Sequence, residues 1–140
     1  MTFPDGILGF PSLKKYLLIE YEKGHPLLWL QSVENNDLGF VVIDPLIVKP
    51  AYRPEIASPD LLYLKAKGLK DLVFLSIVNL PKDDPIKLSA NLMAPLVINY
   101  QLRRGRQIVL NESGYPIREP IIKFPMKKQE MVSSRLSVNK

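Results

Sequence analysis

The chain reads as a single, mostly β domain: an antiparallel β-barrel-like or sandwich arrangement with one short helix. Three observations predict it. Thirteen prolines punctuate 140 residues, and a proline cannot donate to a strand ladder, so they cut the chain into short extended pieces. The stretches between them include apolar runs of strand length, rich in Val, Ile, Leu and aromatic residues. Only one stretch carries the signature of a helix start. Six or more short strands of this kind must close on themselves or pack face to face to protect their edges.

In chain order the runs are Tyr16 to Tyr21, Leu27 to Val33, Phe40 to Ile43, Leu72 to Leu80, Leu96 to Ile98 and Ile108 to Leu110. The helix signal is Ser58-Pro59-Asp60, in which Ser58 caps, Pro59 suits the first helical position and Asp60 favours the positive end. Gly68 is expected to end that helix. In Asp71 to Leu80 both alternating sets are apolar: Val73, Leu75 and Ile77 on one face, Leu72, Phe74, Val78 and Leu80 on the other. A strand apolar on both faces belongs in the middle of a sheet. Farther on, Leu88, Ala90 and Leu92 face one way and Lys87, Ser89 and Asn91 the other, so that strand has one wet face.

Composition narrows the function. With no cysteine, disulfides, thiolate zinc sites and a cysteine nucleophile are excluded. A single histidine leaves little for metal binding, and neither cofactor nor metal is expected. Met1-Thr2-Phe3-Pro4 opens with no signal peptide, and no apolar stretch is long enough for a membrane helix, so a cytoplasmic protein without membrane contact is expected. Of the 19 Lys and Arg residues, Lys123, Lys127, Lys128, Arg135 and Lys140 lie after Pro120 against one acid, Glu130, and give the tail a net charge of +4. The remainder, 14 basic against 13 acidic residues, is nearly neutral. The predicted division is therefore a domain over residues 1–121 and a basic C-terminal extension over 122–140. The extension lacks the interleaved aromatics of a single-strand binder.

No catalytic constellation emerges. His25 sits in Lys23-Gly24-His25-Pro26, which is turn chemistry, and no serine-centred motif accompanies it. Asp83 and Asp84 stand in Pro81-Lys82-Asp83-Asp84-Pro85 and read as turn formers, as does Asp44-Pro45, although the Asp44 carboxylate also suits a partner's arginine. Gly6 and Gly9 make no phosphate loop. Arg103-Arg104-Gly105-Arg106 is the densest basic cluster, read either as a solvated hairpin end with Gly105 at a positive backbone angle or as a surface for phosphates or acids.

Several strings occur in a fixed order: Phe3-Pro4-Asp5-Gly6-Ile7-Leu8-Gly9-Phe10, Trp29-Leu30-Gln31-Ser32-Val33, Phe40-Val41-Val42-Ile43-Asp44-Pro45, Ala90 to Asn99, and Gly105-Arg106-Gln107-Ile108-Val109-Leu110. Together they resemble the bacterial flagellar assembly factor FliW family over Phe3 to Ile121. The resemblance implies a non-enzymatic, barrel-like regulator that binds flagellin and is monomeric when free. Once freed, it binds the carbon storage regulator CsrA away from its RNA-binding surface, relieving repression of flagellin messenger RNA. It also implies a further strand ahead of the Phe3 motif, which this sequence does not contain, so an unpaired edge is expected there. The basic tail departs from a family whose surface is commonly acidic.

Residues that fit partner binding are amides and aromatic or basic side chains near strand ends: Gln31, Asn91, Asn99, Tyr100, Arg104, Arg106, Gln107, Tyr115, Arg118 and Phe124. Each has a bland alternative. Asn91 can satisfy the backbone ahead of Pro95, Gln31 can serve a turn, and Trp29 belongs to the core. The rival function is a direct RNA-binding barrel using Arg103 to Arg106 and the tail, whose affinity should fall steeply with salt. A hydrolase built on Asp83 and Asp84 is the remaining class.

Overall fold

The computed structural model describes residues 1–84 and 86–122. Among them eight strands form one antiparallel sheet: β1 (Tyr16–Glu20), β2 (Leu27–Ser32), β3 (Gly39–Ile43), β4 (Leu72–Asn79), β5 (Ser89–Ala90), β6 (Leu96–Asn99), β7 (Arg104–Gln107) and β8 (Glu119–Pro120). The order is β1-β2-β3-β4-β5-β8, with β6 also on β4 and β7 on β6. The run Leu72 to Leu80 is the central strand as its two-sided pattern predicts. β4 pairs with β3, β5 and β6.

The register along β4 shows how the sheet bends. Val78 faces Ala90 while Leu75 faces Leu96, so β4 advances three residues as its partner advances six. The surplus is looped out between β5 and β6. Asn91 pins it, its Oδ1 accepting from the backbone N–H of Met93 at 3.1 Å and Ala94 at 3.0 Å. An inserted stretch of this kind sharpens twist and curls a sheet.

The curl brings the first residues of the chain back to its far edge. Thr2 bridges antiparallel to Lys15, beside β1, and parallel to Arg104 in β7. The ladder thus runs from β7 through β6, β4, β3, β2 and β1 and returns to β7 through Thr2. Beyond Tyr16 the outer edge of β1 carries no strand among the described residues, and Leu17, Leu18 and Ile19 are exposed.

Successive residues feed opposite cores because side chains alternate across a strand. Tyr16, Leu30, Val42, Leu75, Leu96 and Ile98 pack with Phe3 and Ile7 on one side. Leu27, Val41, Ile43, Leu72, Val78, Ala90 and Val97 pack on the other with Tyr52, Leu64, Leu92, Ile108, Leu110 and Ile121. Each such side chain fully removed from water contributes ~1.5–3 kcal/mol before entropy is charged.

Several local expectations need correction. The helix at Ser58 exists as α2 (Ser58–Tyr63), but Ala57 is its N-cap and Ser58 makes no capping bond. It ends at Leu64 rather than Gly68, because Lys65 turns the chain at a φ of 55°. A further helix, α1 (Pro45–Val48), follows Asp44, whose carboxylate accepts from the Leu46 N–H, with Pro45 at the first position. Among the described residues two short helices are therefore present instead of one, together with a 3-10 turn at Leu69–Asp71. Ile108 to Leu110 is not a ladder strand, although Ile108 and Leu110 still donate to the carbonyls of Pro95 and Met93. Ser89, placed on the wet face, is buried, and β8 pairs beside it with Pro120 opposite.

Candidate partner-binding surface

The basic cluster is part of the fold rather than a free hairpin end. Arg104 and Arg106 lie on one face of β7, and their guanidinium carbons stand 4.5 and 4.1 Å from the centre of the Tyr63 ring on α2. Arg104 Nε donates to the Tyr63 carbonyl at 2.8 Å. Arg106 bridges Asp5 of the N-terminal loop at 3.3 Å and Asp60 of α2 at 3.2 Å. Burial pushes the Tyr63 phenol above its ordinary value, and the Asp5 carboxylate adds to the shift. The chain direction is reversed by Arg103 at a φ of 54°. Gly105 does not supply the positive angle; it is needed because the Phe3 ring lies against it.

The expected amides act largely inside the protein. Gln31 Oε1 accepts from the Trp29 indole N–H at 3.1 Å, and its Nε2 donates to the Leu38 carbonyl at 2.9 Å and the Asn36 carbonyl at 3.2 Å. It organises the β2–β3 turn. Asn99 is only 4% exposed, and its Nδ2 donates to the Leu64 carbonyl at 2.9 Å. Gln107 ties the N-terminal loop to the looped-out stretch, accepting from the Leu8 N–H at 2.8 Å and donating to the Ala94 carbonyl at 3.1 Å. A buried or half-buried amide is costly unless so paired, which is why strand-end amides serve the fold readily.

Tyr100, next to Asn99, is 50% exposed. Tyr115 packs against Tyr52 with centroids 4.6 Å apart and the rings tilted by 59°, and its hydroxyl accepts from the Arg53 N–H at 2.8 Å. Tyr52 is itself fixed by donating to the Leu92 carbonyl at 2.8 Å. Arg118 is exposed beside Ile121 and Ile122. Phe124 and the extension from residue 123 lie outside the described residues. These side chains do not converge on one point: Tyr100 sits at the β6–β7 turn, Tyr115 beside Tyr52, and Gln31 across the sheet.

Groups considered for chemistry are occupied by turn geometry. His25 Nδ1 accepts from the Leu27 N–H at 3.1 Å, and Asp84 accepts from the Ile86 N–H at 3.2 Å. Among the described residues no three His, Cys, Asp or Glu side chains are grouped to hold a metal ion, and no helix is long and apolar enough to cross a membrane.

Sequence reasoning missed Tyr63, Asp5 and Asp60 as the partners of the arginines. The alternation Arg104-Gly105-Arg106, which puts both arginines on one strand face, was the available signal. It also missed an apolar cleft between α1, the 3-10 turn and the start of β4, lined by Leu46, Tyr52, Leu69, Leu72, Val73 and Phe74. No local periodicity marks it, because its walls come from three separate parts of the chain.

Comparison with known proteins agrees with this architecture. Residues 1–121 match the family described as FliW protein. The flagellar assembly factor FliW of Natranaerobius thermophilus is 42% identical over 121 residues, covering 86% of this chain and 80% of that one. That of Leptospira interrogans serogroup Icterohaemorrhagiae serovar Lai is 38% identical over 122 residues, covering 87% and 81%. A crystal structure of the flagellar assembly factor FliW superposes with a TM-score of 0.80 at 31% identity, covering 89% of this chain and 86% of that one. The chain belongs to the FliW family of flagellar assembly factors.

Proposed function

We propose that this protein regulates flagellin synthesis by exchanging protein partners. It binds flagellin in the cytoplasm, as a monomer when free. When flagellin is exported, the released protein binds the carbon storage regulator CsrA, antagonises it allosterically and frees flagellin messenger RNA for translation. Residues 1–121 form the binding domain and residues 122–140 a basic extension. The protein is an assembly factor and not an enzyme. The observation that carries this reading is the family match over residues 1–121.

The physical logic is linkage. Two proteins competing for one factor make the concentration of free flagellin set how much factor is left for the regulator. No bond need be made or broken. Of the expected residues, exposed Tyr100, Arg118 and the rim of Tyr115 serve contact directly, while Gln31, Asn91, Asn99 and Gln107 serve it by fixing the turns. Phe124 is assigned to contact from its sequence alone. The state of Arg106 weighs against direct RNA binding: it is paired with the carboxylates of Asp5 and Asp60, which compete with phosphate for its charge.

Calorimetric titration with flagellin and with CsrA from the same organism, and with a flagellin leader RNA at two salt concentrations, tests the proposal. Saturable binding to both proteins with no salt-sensitive RNA binding is expected. Silence toward both proteins with RNA binding that weakens as salt rises would overturn it in favour of the RNA-binding alternative.

A further inference from the structure

The apolar cleft beside α1 has about 530 Å³ of open volume, and three of its apolar side chains remain substantially in water: Leu46 48%, Leu69 55% and Val73 40% exposed. The segment Arg53-Pro54-Glu55 forms one bank. Beyond it a second cleft of about 630 Å³ continues past Val109 and Glu112 to Tyr115. The two adjoin at Arg53 and Glu55, which line both. An exposed apolar groove rimmed by polar groups marks an interaction site more often than a free surface.

The charge of the groove runs against that of the chain. Its lining holds four carboxylates, Asp44, Glu55, Asp60 and Glu112, against one base, Arg53, in a protein of net charge +5. Only Asp60 is ion-paired with a base among the described residues, through Arg106. A surface that is apolar on its floor and acidic on its banks repels phosphate and favours a segment carrying both apolar and cationic side chains.

We infer that this groove receives an amphipathic, Lys- or Arg-bearing segment of a protein partner, its apolar side chains resting on Leu46, Leu69 and Val73 and its cations meeting Glu55 and Glu112. The inference rests on the partner-exchange reading and names the surface through which it works. The contact of Tyr115 with Tyr52, and its hydroxyl accepting from the Arg53 N–H, hold the Arg53 bank between the two clefts. Exposed leucines and glutamates contribute little to the fold, so substitutions here separate binding from stability.

The test uses the full chain carrying Leu46→Ser/Leu69→Ser, Glu55→Lys/Glu112→Lys, or Leu17→Ser on the far β1 edge as a control. Binding of flagellin and of CsrA from the same organism is measured calorimetrically at two salt concentrations, with thermal unfolding to confirm the fold. Both groove variants are expected to bind at least one of the two about tenfold or more weakly, the charge reversal most strongly at low salt, with the control unchanged. Wild-type binding with groove variants that remain within twofold overturns the assignment of this surface alone. Wild-type self-association lost in the groove variants overturns it too, since the occupant is then a second copy. A wild type that binds neither protein overturns the partner-exchange reading itself, and this inference with it.

Discussion

The Phe3 ring lies against the backbone of Gly105, so closely that a Cβ on that glycine would stand 2.5 Å from the ring. Phe3 is fully buried and also meets Tyr16 edge-on, with centroids 5.7 Å apart. The N-terminal segment, β1 and β7 therefore meet through one aromatic side chain, at the place where Thr2 closes the ladder.

Gly105→Ala is expected to destabilise the protein by ~1–3 kcal/mol, the usual range for overpacking a tight core. The backbone there is not in the left-handed region, so the cost comes from the ring. Combining it with Phe3→Leu should therefore cost less than the sum of the two single changes. Urea denaturation of the four proteins measures this. Strict additivity would mean that the ring moves aside and that Gly105 is required for another reason.

Most strands were legible in sequence because alternation is a local property: Leu72 to Leu80 announces a central strand without knowledge of its neighbours, whereas the division of the interior into two cores was not read from it. The closure through Thr2 was not, because one bridging residue leaves no pattern. The arginine cluster was visible as charge, but its meaning depended on Asp5, Asp60 and Tyr63, which lie 41 to about a hundred positions away in the chain. Asn91 and Gln31 were open in sequence between partner contact and turn; their amides bond to nearby backbone in the fold, since an amide beside a proline or a turn finds such partners close by.

Arg106→Ala is expected to lower stability by ~1–2 kcal/mol, from the loss of one stacked cation and two partly exposed ion pairs discounted for solvent screening. Arg106→Lys should restore only part of it, because an ammonium cannot hold both carboxylates and stack on Tyr63 in one pose. The readout is the urea midpoint. Full recovery by lysine would show that charge alone matters.

Acid sensitivity should trace partly to Glu34. Its carboxylate accepts from the backbone N–H groups of Lys14 at 2.6 Å and Lys15 at 3.0 Å, and those bonds hold its pKa below the ordinary 4.5. A carboxyl depressed by folding stabilises the protein above its unfolded pKa and loses that contribution as pH falls through the lower folded value. The melting temperature of Glu34→Ala should therefore lie below wild type at neutral pH, and the gap should narrow below pH 4.5. A gap that stays constant down to strongly acid conditions would assign the loss to packing.

Asn99 and Tyr100 are neighbours with opposite surroundings, and substituting each separates architecture from contact. Asn99 is 4% exposed, and its amide holds the Leu64 carbonyl at 2.9 Å and the Leu102 N–H at 3.3 Å. Asn99→Ala leaves the buried Leu64 carbonyl without that donor, at a cost of ~1–3 kcal/mol, while the Leu102 N–H can turn to water. Tyr100 is 50% exposed, so Tyr100→Ala should shift stability by less than ~0.5 kcal/mol. Affinity for the proposed partners, flagellin and CsrA, should divide the other way: a folded Asn99→Ala protein loses about twofold or less, since Asn99 steadies the turn without touching a partner, whereas Tyr100→Ala weakens one of them about fivefold or more, as an exposed aromatic anchor does. Denaturation curves and calorimetric titrations on the same samples decide it. If Tyr100→Ala binds as wild type does, the β6–β7 turn is no contact surface, and Asn99 is there only to shape it.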